Sequence, residues 1–340
     1  MNKEAKKRSN LGGDRPKLES PPRKKGRIEV GVEKLQRASM QTEGRMAEES
    51  GPKREEAPAS DSSCLKVLTY NVWFNEQAAV RDRMKAIGEV IQSHGYPHFI
   101  CFQEATHLIV ELFKDSDWWD RYSASEVPAA VRYFTMVLVR KDIPITNRME
   151  LPFENSVMAR GLLAARVTVG GSRFMVVTTH LESPNQGMMY SRVRIEQCRQ
   201  SIELLNEFKG PVIFTGDMNW QSKDGLMPLL DGWSDVWKSL YPEEDGFTFD
   251  PKTNTMLSDK KHDGRRLDRV LAKLEEGWSP LKAEIVGNRP IEGVKVPIWS
   301  HGKTSLQQAF PSDHFGVLVT FGKSEEEDGG VSSKSSKEKK

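Results

Sequence analysis

No phenylalanine, tyrosine or tryptophan occurs in residues 1–63 or 323–340 of this 340-residue chain, so all 28 (8 Trp, 6 Tyr, 14 Phe) lie between 64 and 322. That confinement decides where a core can form. Without bulky apolar side chains the two end segments bury too little surface to offset chain entropy, and both are expected to be disordered tails. The domain is then residues 64–322, long enough for one large layered fold. Charge divides along the same lines. Residues 1–63 carry 15 basic and 11 acidic side chains and the last eighteen carry five of each, which leaves the central region at −2 within a total of +2. A nucleic-acid enzyme of this composition must gather its positive charge locally. The run Pro21-Pro22-Arg23-Lys24-Lys25-Gly26-Arg27 suits nuclear import as well as it suits a solvated tail.

Other classes drop away quickly. No apolar run approaches the length of a membrane-crossing helix, and Met1 to Arg8 is not followed by the apolar stretch of a secretory leader. Cys64, Cys101 and Cys198 are too few and too scattered for a disulfide framework or a structural zinc site, so a reducing compartment, nucleus or cytosol, is expected.

Within the domain, short apolar runs alternate with amphipathic ones. Strands are expected at 65–72, 99–103, 133–139, 162–169, 174–179, 212–217, 267–271 and 316–321. Helices are expected over 81–93, where Met84, Ile87, Val90 and Ile91 share a face, and over about 188–208. Strands outnumber helices, which predicts an α/β architecture of two sheets packed face to face with helices outside.

The chemistry lies where these strands end. Asn71, then Gln103-Glu104, then His180, then Asp217 and Asn219, then Asp313-His314 each follow a buried-looking run. One Asn or Asp after a strand is ordinarily a turn former. Five such endings, rich in carboxylates, histidines and amides, are hard to explain as turns. Glu104 and Asp313 offer the hard oxygens that suit Mg²⁺. His180 and His314 can donate to a phosphoryl oxygen, and Asp217 can deprotonate a water that Asn219 positions.

In order along the domain stand Thr69-Tyr70-Asn71, Gln103-Glu104, Thr179-His180-Leu181-Glu182-Ser183, Thr215-Gly216-Asp217-Met218-Asn219, Leu267-Asp268-Arg269 and Ser312-Asp313-His314. This series resembles the endonuclease/exonuclease/phosphatase superfamily. The resemblance implies a four-layer α/β sandwich in which two mixed sheets are flanked by helices, as in DNase I-like folds. His180-Leu181-Glu182-Ser183 before a long helix, and Pro311 to Gly316, look like the 5′-tyrosyl-DNA phosphodiesterase branch. That branch implies Tyr133, Arg160, Ser183 and Phe249 as substrate contacts. It also implies Asp268 as the partner of His314, Mg²⁺ (with Mn²⁺ as substitute) on Glu104 and Asp313, and hydrolysis of a tyrosine-to-5′-DNA link by a nuclear, or also cytoplasmic, monomer. A single-stranded end is favoured if Phe249 and Tyr133 offer stacking faces. The chain departs from the branch at its first motif, which usually continues as Asn-Val/Ile-Asp-Gly, whereas here Val72-Trp73-Phe74-Asn75 follows Asn71.

Two other readings compete. One is a different phosphodiesterase of the superfamily, an abasic-site endonuclease or an RNA exonuclease, with the same metal site and a different groove. The other is a catalytically dead relative that serves as a DNA-binding scaffold, against which stands the presence of every expected catalytic position. Bland roles remain open for some residues: strand packing for Tyr133, a turn cap for Ser183, a satellite-core ring for Phe249 and an internal ion pair for Arg269. Lys260-Lys261-His262 with Arg265-Arg266 could track DNA phosphates or form a solvated loop.

Overall fold

The period-2 alternation of the strands sorts their side chains onto two faces, and each face finds a different cover. A computed structural model describes residues 63–185, 187–257, 263–275, 277–300 and 302–323. Its strands are β1 (Cys64–Asn71), β2 (Phe99–Ala105), β3 (Tyr122–Ala124), β4 (Phe134–Arg140), β5 (Ile145–Pro152), β6 (Gly161–Val169), β7 (Ser172–His180), β8 (Val212–Asp217), β9 (Trp233–Asp235), β10 (Asp268–Lys273), β11 (Trp278–Val286), β12 (Lys295–Ser300), β13 (Lys303–Gln308) and β14 (Gly316–Lys323). Helices are α1 (Val80–Ser93), α2 (His107–Lys114), α3 (Ser191–Asn206) and α4 (Val236–Leu240).

One six-stranded sheet runs β11-β14-β1-β2-β4-β3 and the other β5-β6-β7-β8-β10-β9, with β12 and β13 forming a separate hairpin. Each large sheet has one parallel pair near its centre, β1 with β2 and β7 with β8, and the remaining pairs are antiparallel. Parallel neighbours need a crossover. Helix α1 makes it between β1 and β2, and α3 between β7 and β8.

Leu65, Val67, Phe99 and Cys101 of the first sheet meet Phe174, Val176, Ile213, Val270 and Ala272 of the second in a dry layer between the sheets. The opposite face of the first sheet, with Leu68, Tyr70, Ile100 and Phe102, packs on Met84, Ile87 and Ile91 of α1 and on Ile109, Val110 and Phe113 of α2. Met175, Val177 and Phe214 of the second sheet pack on Cys198, Ile202 and Leu205 of α3. The result is the expected helix–sheet–sheet–helix sandwich. Trp118 packs edge-on against Phe113 and Tyr122, as expected of a core ring.

Two differences from the expected elements have simple causes. The second long helix begins at Ser191 rather than near 188, because a bridge between Asn185 and Met188 and a left-handed Tyr190 (φ 49°) hold the preceding segment out of helix. Strands β5 and β11 escape the alternation test because each is an edge strand whose faces are only partly covered. Of the expected tails only Ser63 and Lys323 are described, Lys323 as the last residue of β14 bonded to Ser63; the rest, with the basic run at 23–27 and Lys260-Lys261-His262, lies outside the described residues.

Candidate active site

Followed along the strands, the layer between the sheets changes from apolar to polar in two steps. Thr69, Gln103 and Thr178 come first, all fully buried. Gln103 Nε2 donates to Thr69 Oγ1 (3.1 Å) and to Thr178 Oγ1 (3.0 Å), a bond that ties one sheet to the other. One strand repeat further on, Asn71, His180, Asp217 and Asp268 share the same face by parity. They arrive side by side because of register: His180 pairs with Asp217 across β7 and β8, and Asp217 with Asp268 across β8 and β10. Gly216 makes the approach possible. Its φ is 135°, and a Cβ there would strike the carbonyl of Thr179.

Asp217 is the centre of the cluster. Its Oδ2 accepts from Asn71 Nδ2 (3.0 Å) and lies 3.3 Å from His180 Nε2 and 4.0 Å from His314 Nε2. Its Oδ1 accepts from the backbone N–H of Asn219 (2.9 Å), whose left-handed backbone (φ 48°) turns the chain back toward the carboxylate. Burial favours the protonated acid, but His180, His314 and these N–H donors outweigh it and hold Asp217 below the usual carboxylate range.

The two histidines are held in opposite ways. Arg160 donates from its guanidinium to His180 Nδ1 (2.8 Å). Arginine has no acceptor, so Nδ1 must carry the lone pair and the ring proton sits on Nε2, facing Asp217. Burial and the Arg160 charge push His180 down to about 3, which keeps it neutral. His314 instead gives Nδ1–H to Asp268 Oδ2 (2.8 Å). Burial opposes its charge, yet Asp268, Asp217 and Asp313 together raise it well above the ordinary histidine value.

Glu104 reaches this mouth by an irregularity. Strict alternation would turn it away from Gln103's side, but the β2–β4 register shifts between Phe102 and Ala105, and Glu104 takes φ 61°. Its Oε2 accepts from the N–H of Phe74 (3.2 Å) and its Oε1 lies 4.0 Å from His180 Nε2. Burial and the Asp313 carboxylate push Glu104 up to about 7, and burial raises Asp313 as well. Two carboxylates so crowded are a donor set that a hard divalent cation would relieve. Asp217, Asp268 and His314 also bring ligand atoms within 4.8 Å of one another. There, however, Asp268 Oδ2 is taken by His314, and both Asp217 oxygens by Asn71 and Asn219, which leaves Asp268 Oδ1 without a hydrogen-bond partner. Glu104 and Asp313 fit a cation best, because it would relieve their raised carboxyls.

The substrate-contact candidates fall at the rim. Tyr133 is half-buried, stacks on Phe74 (4.8 Å between centroids, 11° between planes) and accepts from Arg160 (3.1 Å). Ser183 donates to Met158 Sδ (3.3 Å). Phe249 stands edge-on to His314 (5.2 Å), with Arg265 over its ring (5.1 Å). Arg160 is the exception: it is buried against His180, one layer below the rim. Arg269 forms the expected internal ion pair, with Asp235 (2.8 Å) rather than with its neighbour Asp268.

Two further buried charges shape the site: Glu182, which stands in the motif at the end of β7 with no role assigned to it from sequence, and Arg83. Glu182 accepts from Val157 N–H (2.8 Å), Ser156 Oγ (2.9 Å) and Gln197 Nε2 (2.8 Å), so it pins the loop that delivers Arg160. Arg83 donates to the carbonyls of Trp73 (2.9 Å) and Asn75 (3.3 Å), which fixes the unusual segment after Asn71. The only sequence signal of Arg83 is a charge on an otherwise apolar helix face, whereas Glu182 stands in a motif that does not announce its role.

Comparisons with known proteins identify the family and the fold. The model of the Endonuclease/Exonuclease/phosphatase family matches residues 68–314. The chain is 27% identical over 272 residues to tyrosyl-DNA phosphodiesterase 2 of Rattus norvegicus, covering 78% of this chain and 68% of that one. Among solved structures, D. rerio TDP2 complexed with a single-strand DNA product superposes with a TM-score of 0.66 at 24% identity, covering 76% of this chain and 99% of that one. Beta toxin from Staphylococcus aureus with bound magnesium ions shares the fold at 15% identity and a TM-score of 0.58, over 75% of this chain and 98% of that one.

Proposed function

The chain belongs to the endonuclease/exonuclease/phosphatase family, on its tyrosyl-DNA phosphodiesterase 2-like side, and on that premise we propose that it hydrolyses the phosphodiester between a tyrosine side chain and a 5′ DNA end. The observation that carries the proposal is the setting of Asp217, an ionised carboxylate held by Asn71 and Asn219 between a neutral histidine and a charged one.

Asp217 accepts a proton from water as the water oxygen bonds to phosphorus, and the bond from phosphorus to the tyrosine oxygen breaks. Asn71 and Asn219 keep the carboxylate oriented. His180 Nε2–H and the His314 cation are donors for the phosphoryl oxygens, where negative charge accumulates. Glu104 and Asp313 would hold a divalent cation, Mg²⁺ or in its place Mn²⁺, which supplies further neutralisation of the phosphoryl charge. The phenol leaving group has a pKa of about 10 against about 15.7 for water, so no dedicated general acid is needed. The products are tyrosine, or a peptide carrying it, and a 5′-phosphorylated strand. On the strength of the basic run at 23–27, we place the reaction in the nucleus.

The test is release of 5′-phosphorylated DNA from an oligonucleotide bearing a 5′-phosphotyrosine, with Mg²⁺ and again with EDTA. Release that EDTA abolishes is expected. Replacing Asp217 by Asn, which keeps the shape and removes the base, should cost about 10³-fold in kcat. Preference for an abasic duplex or for poly(A) over the tyrosyl adduct would overturn the proposal in favour of another phosphodiesterase.

A further inference from the structure

The segment Trp73-Phe74-Asn75, just after Asn71, builds a feature that the reaction above does not use. From the buried His180 a stack of rings and guanidinium groups climbs to the surface. Arg160 lies over Tyr133 (5.2 Å), Tyr133 stacks on Phe74 (4.8 Å), and Arg132 lies over the Phe74 ring (4.7 Å). Arg83 clamps the carbonyls on both sides of Phe74, and the Phe74 N–H is fixed on Glu104. The stack therefore stands on backbone held at two points.

Arg132, its last member, is exposed and has no carboxylate partner among the described residues. It borders a cleft of about 450 Å³ whose lining also includes Asn75, Glu76, Gln77 and Thr106. A guanidinium stacked on a ring has already lost much of its freedom and presents its N–H fork outward, the geometry that grips a carboxylate or phosphate with two bonds.

The rest of the cleft says which anion. A nucleic-acid strand brings one negative charge per nucleotide, and this lining sets Glu76 against a single cation. A peptide brings amides, for which Asn75 and Gln77 are partners, and one carboxylate is enough to engage one arginine. The opposite rim differs. Beside His314 stand Phe249 and Arg265, a ring and a cation suited to a base and its phosphate. Glu104, which the Phe74 backbone touches, belongs to the cleft's side of the mouth.

We propose that this cleft is a subsite for the peptide still attached to the scissile tyrosine, and that Arg132 binds an acidic residue of that peptide. The inference rests on the tyrosyl-DNA reading of the active site and extends it from the bond that is cut to the protein remnant carried on it.

Two adducts with the same oligonucleotide separate the possibilities. In one the linked tyrosine lies in a short peptide flanked by Asp and Glu, and in the other the flanking residues are Asn and Gln. The unaltered protein is expected to favour the acidic adduct about fivefold in kcat/KM, the scale of one exposed charge pair. Arg132→Ala should remove that preference, and Arg132→Glu should reverse it. A preference that survives Arg132→Glu overturns the subsite. So does an equal loss by Arg132→Glu on a peptide-free p-nitrophenyl ester of the same oligonucleotide, which would assign the guanidinium to the strand. If neither adduct is hydrolysed by the unaltered protein, the tyrosyl-DNA reading itself fails, and the subsite with it.

Discussion

His180 and His314 flank the same carboxylate, yet they face it from different sheets and in different protonation states. His180 ends β7 of the second sheet, its Nδ1 taken by Arg160, and it is neutral. His314 precedes β14 of the first sheet, its Nδ1 given to Asp268, and it is charged. Neither difference resides in the imidazole. A cation on the remote nitrogen fixes one tautomer and forbids a second proton, and an anion there invites one. The site thus holds one charged and one neutral donor around Asp217, which avoids two buried imidazolium ions side by side and still places N–H groups on both flanks.

The largest expected effect comes from breaking the charged half. Asp268→Asn keeps an acceptor for the His314 Nδ1–H but removes the carboxylate that contributes most to keeping the ring protonated. The sign follows from the shift. A raised pKa keeps His314 protonated across the neutral range, and the charge is lost only as pH rises through that value. In the variant the pKa falls toward the ordinary one of about 6.5. The alkaline fall in kcat should then move to lower pH, and kcat near pH 8 should drop about 10²- to 10³-fold. An unchanged pH profile with a uniformly lower rate would mean that Asp268 only positions the ring.

Breaking the neutral half should cost less, because His180 keeps its partner on Nε2. Arg160→Ala removes both the donor to Nδ1 and the charge that opposes protonation. His180 should rise from about 3, against the burial that contributes most to its shift, and take up a proton on Nδ1 as pH falls, which ring nitrogen chemical shifts will report. The expected loss in kcat is about tenfold to fiftyfold, larger near pH 6 than near pH 8. A His180 that stays neutral at pH 6 in the variant would show that burial alone holds it so.

The two halves also differ in how far a reader of the sequence can see them. Asn71, Asp217 and Asp268 are legible because period-2 alternation continues the pattern of Val67, Ile213 and Val270 into polar residues without changing face. His180 follows Val176 by the same rule. Arg160 is not legible as a buried residue. It lies in a loop twenty residues before its partner, and that loop is folded inward by the Glu182 carboxylate, bonded to Ser156 and Val157, together with the loop's own bonds linking Arg160 with Phe153 and Ser156. Glu104 is legible as a strand-end acid, but its direction depends on a register shift that no periodicity announces. Phe74 and Arg132 carry no pattern at all, since a stack is a relation between two loops.

The smallest expected effect tests whether the rims are as unlike as the histidines beneath them. Phe249 touches the His314 edge with a ring and holds Arg265 over that ring. Its contribution to the fold is modest, since an edge-on aromatic pair is worth about 0.5–1.5 kcal/mol and Phe249 is only partly buried. Its contribution to substrate is a stacking face for the first bases of a strand, which affects ground state and transition state alike. Phe249→Ala should therefore raise KM about three- to tenfold for a single-stranded tyrosyl oligonucleotide and leave kcat within about twofold. Phe249→Trp, with a larger face, should lower KM. The contrast with Arg132 makes the test specific: loss of Phe249 should weaken acidic and neutral peptide adducts equally and should lessen as the DNA is shortened to one nucleotide. If the loss instead follows the peptide's charge, the two rims do not divide strand from peptide, and their assignment must be exchanged.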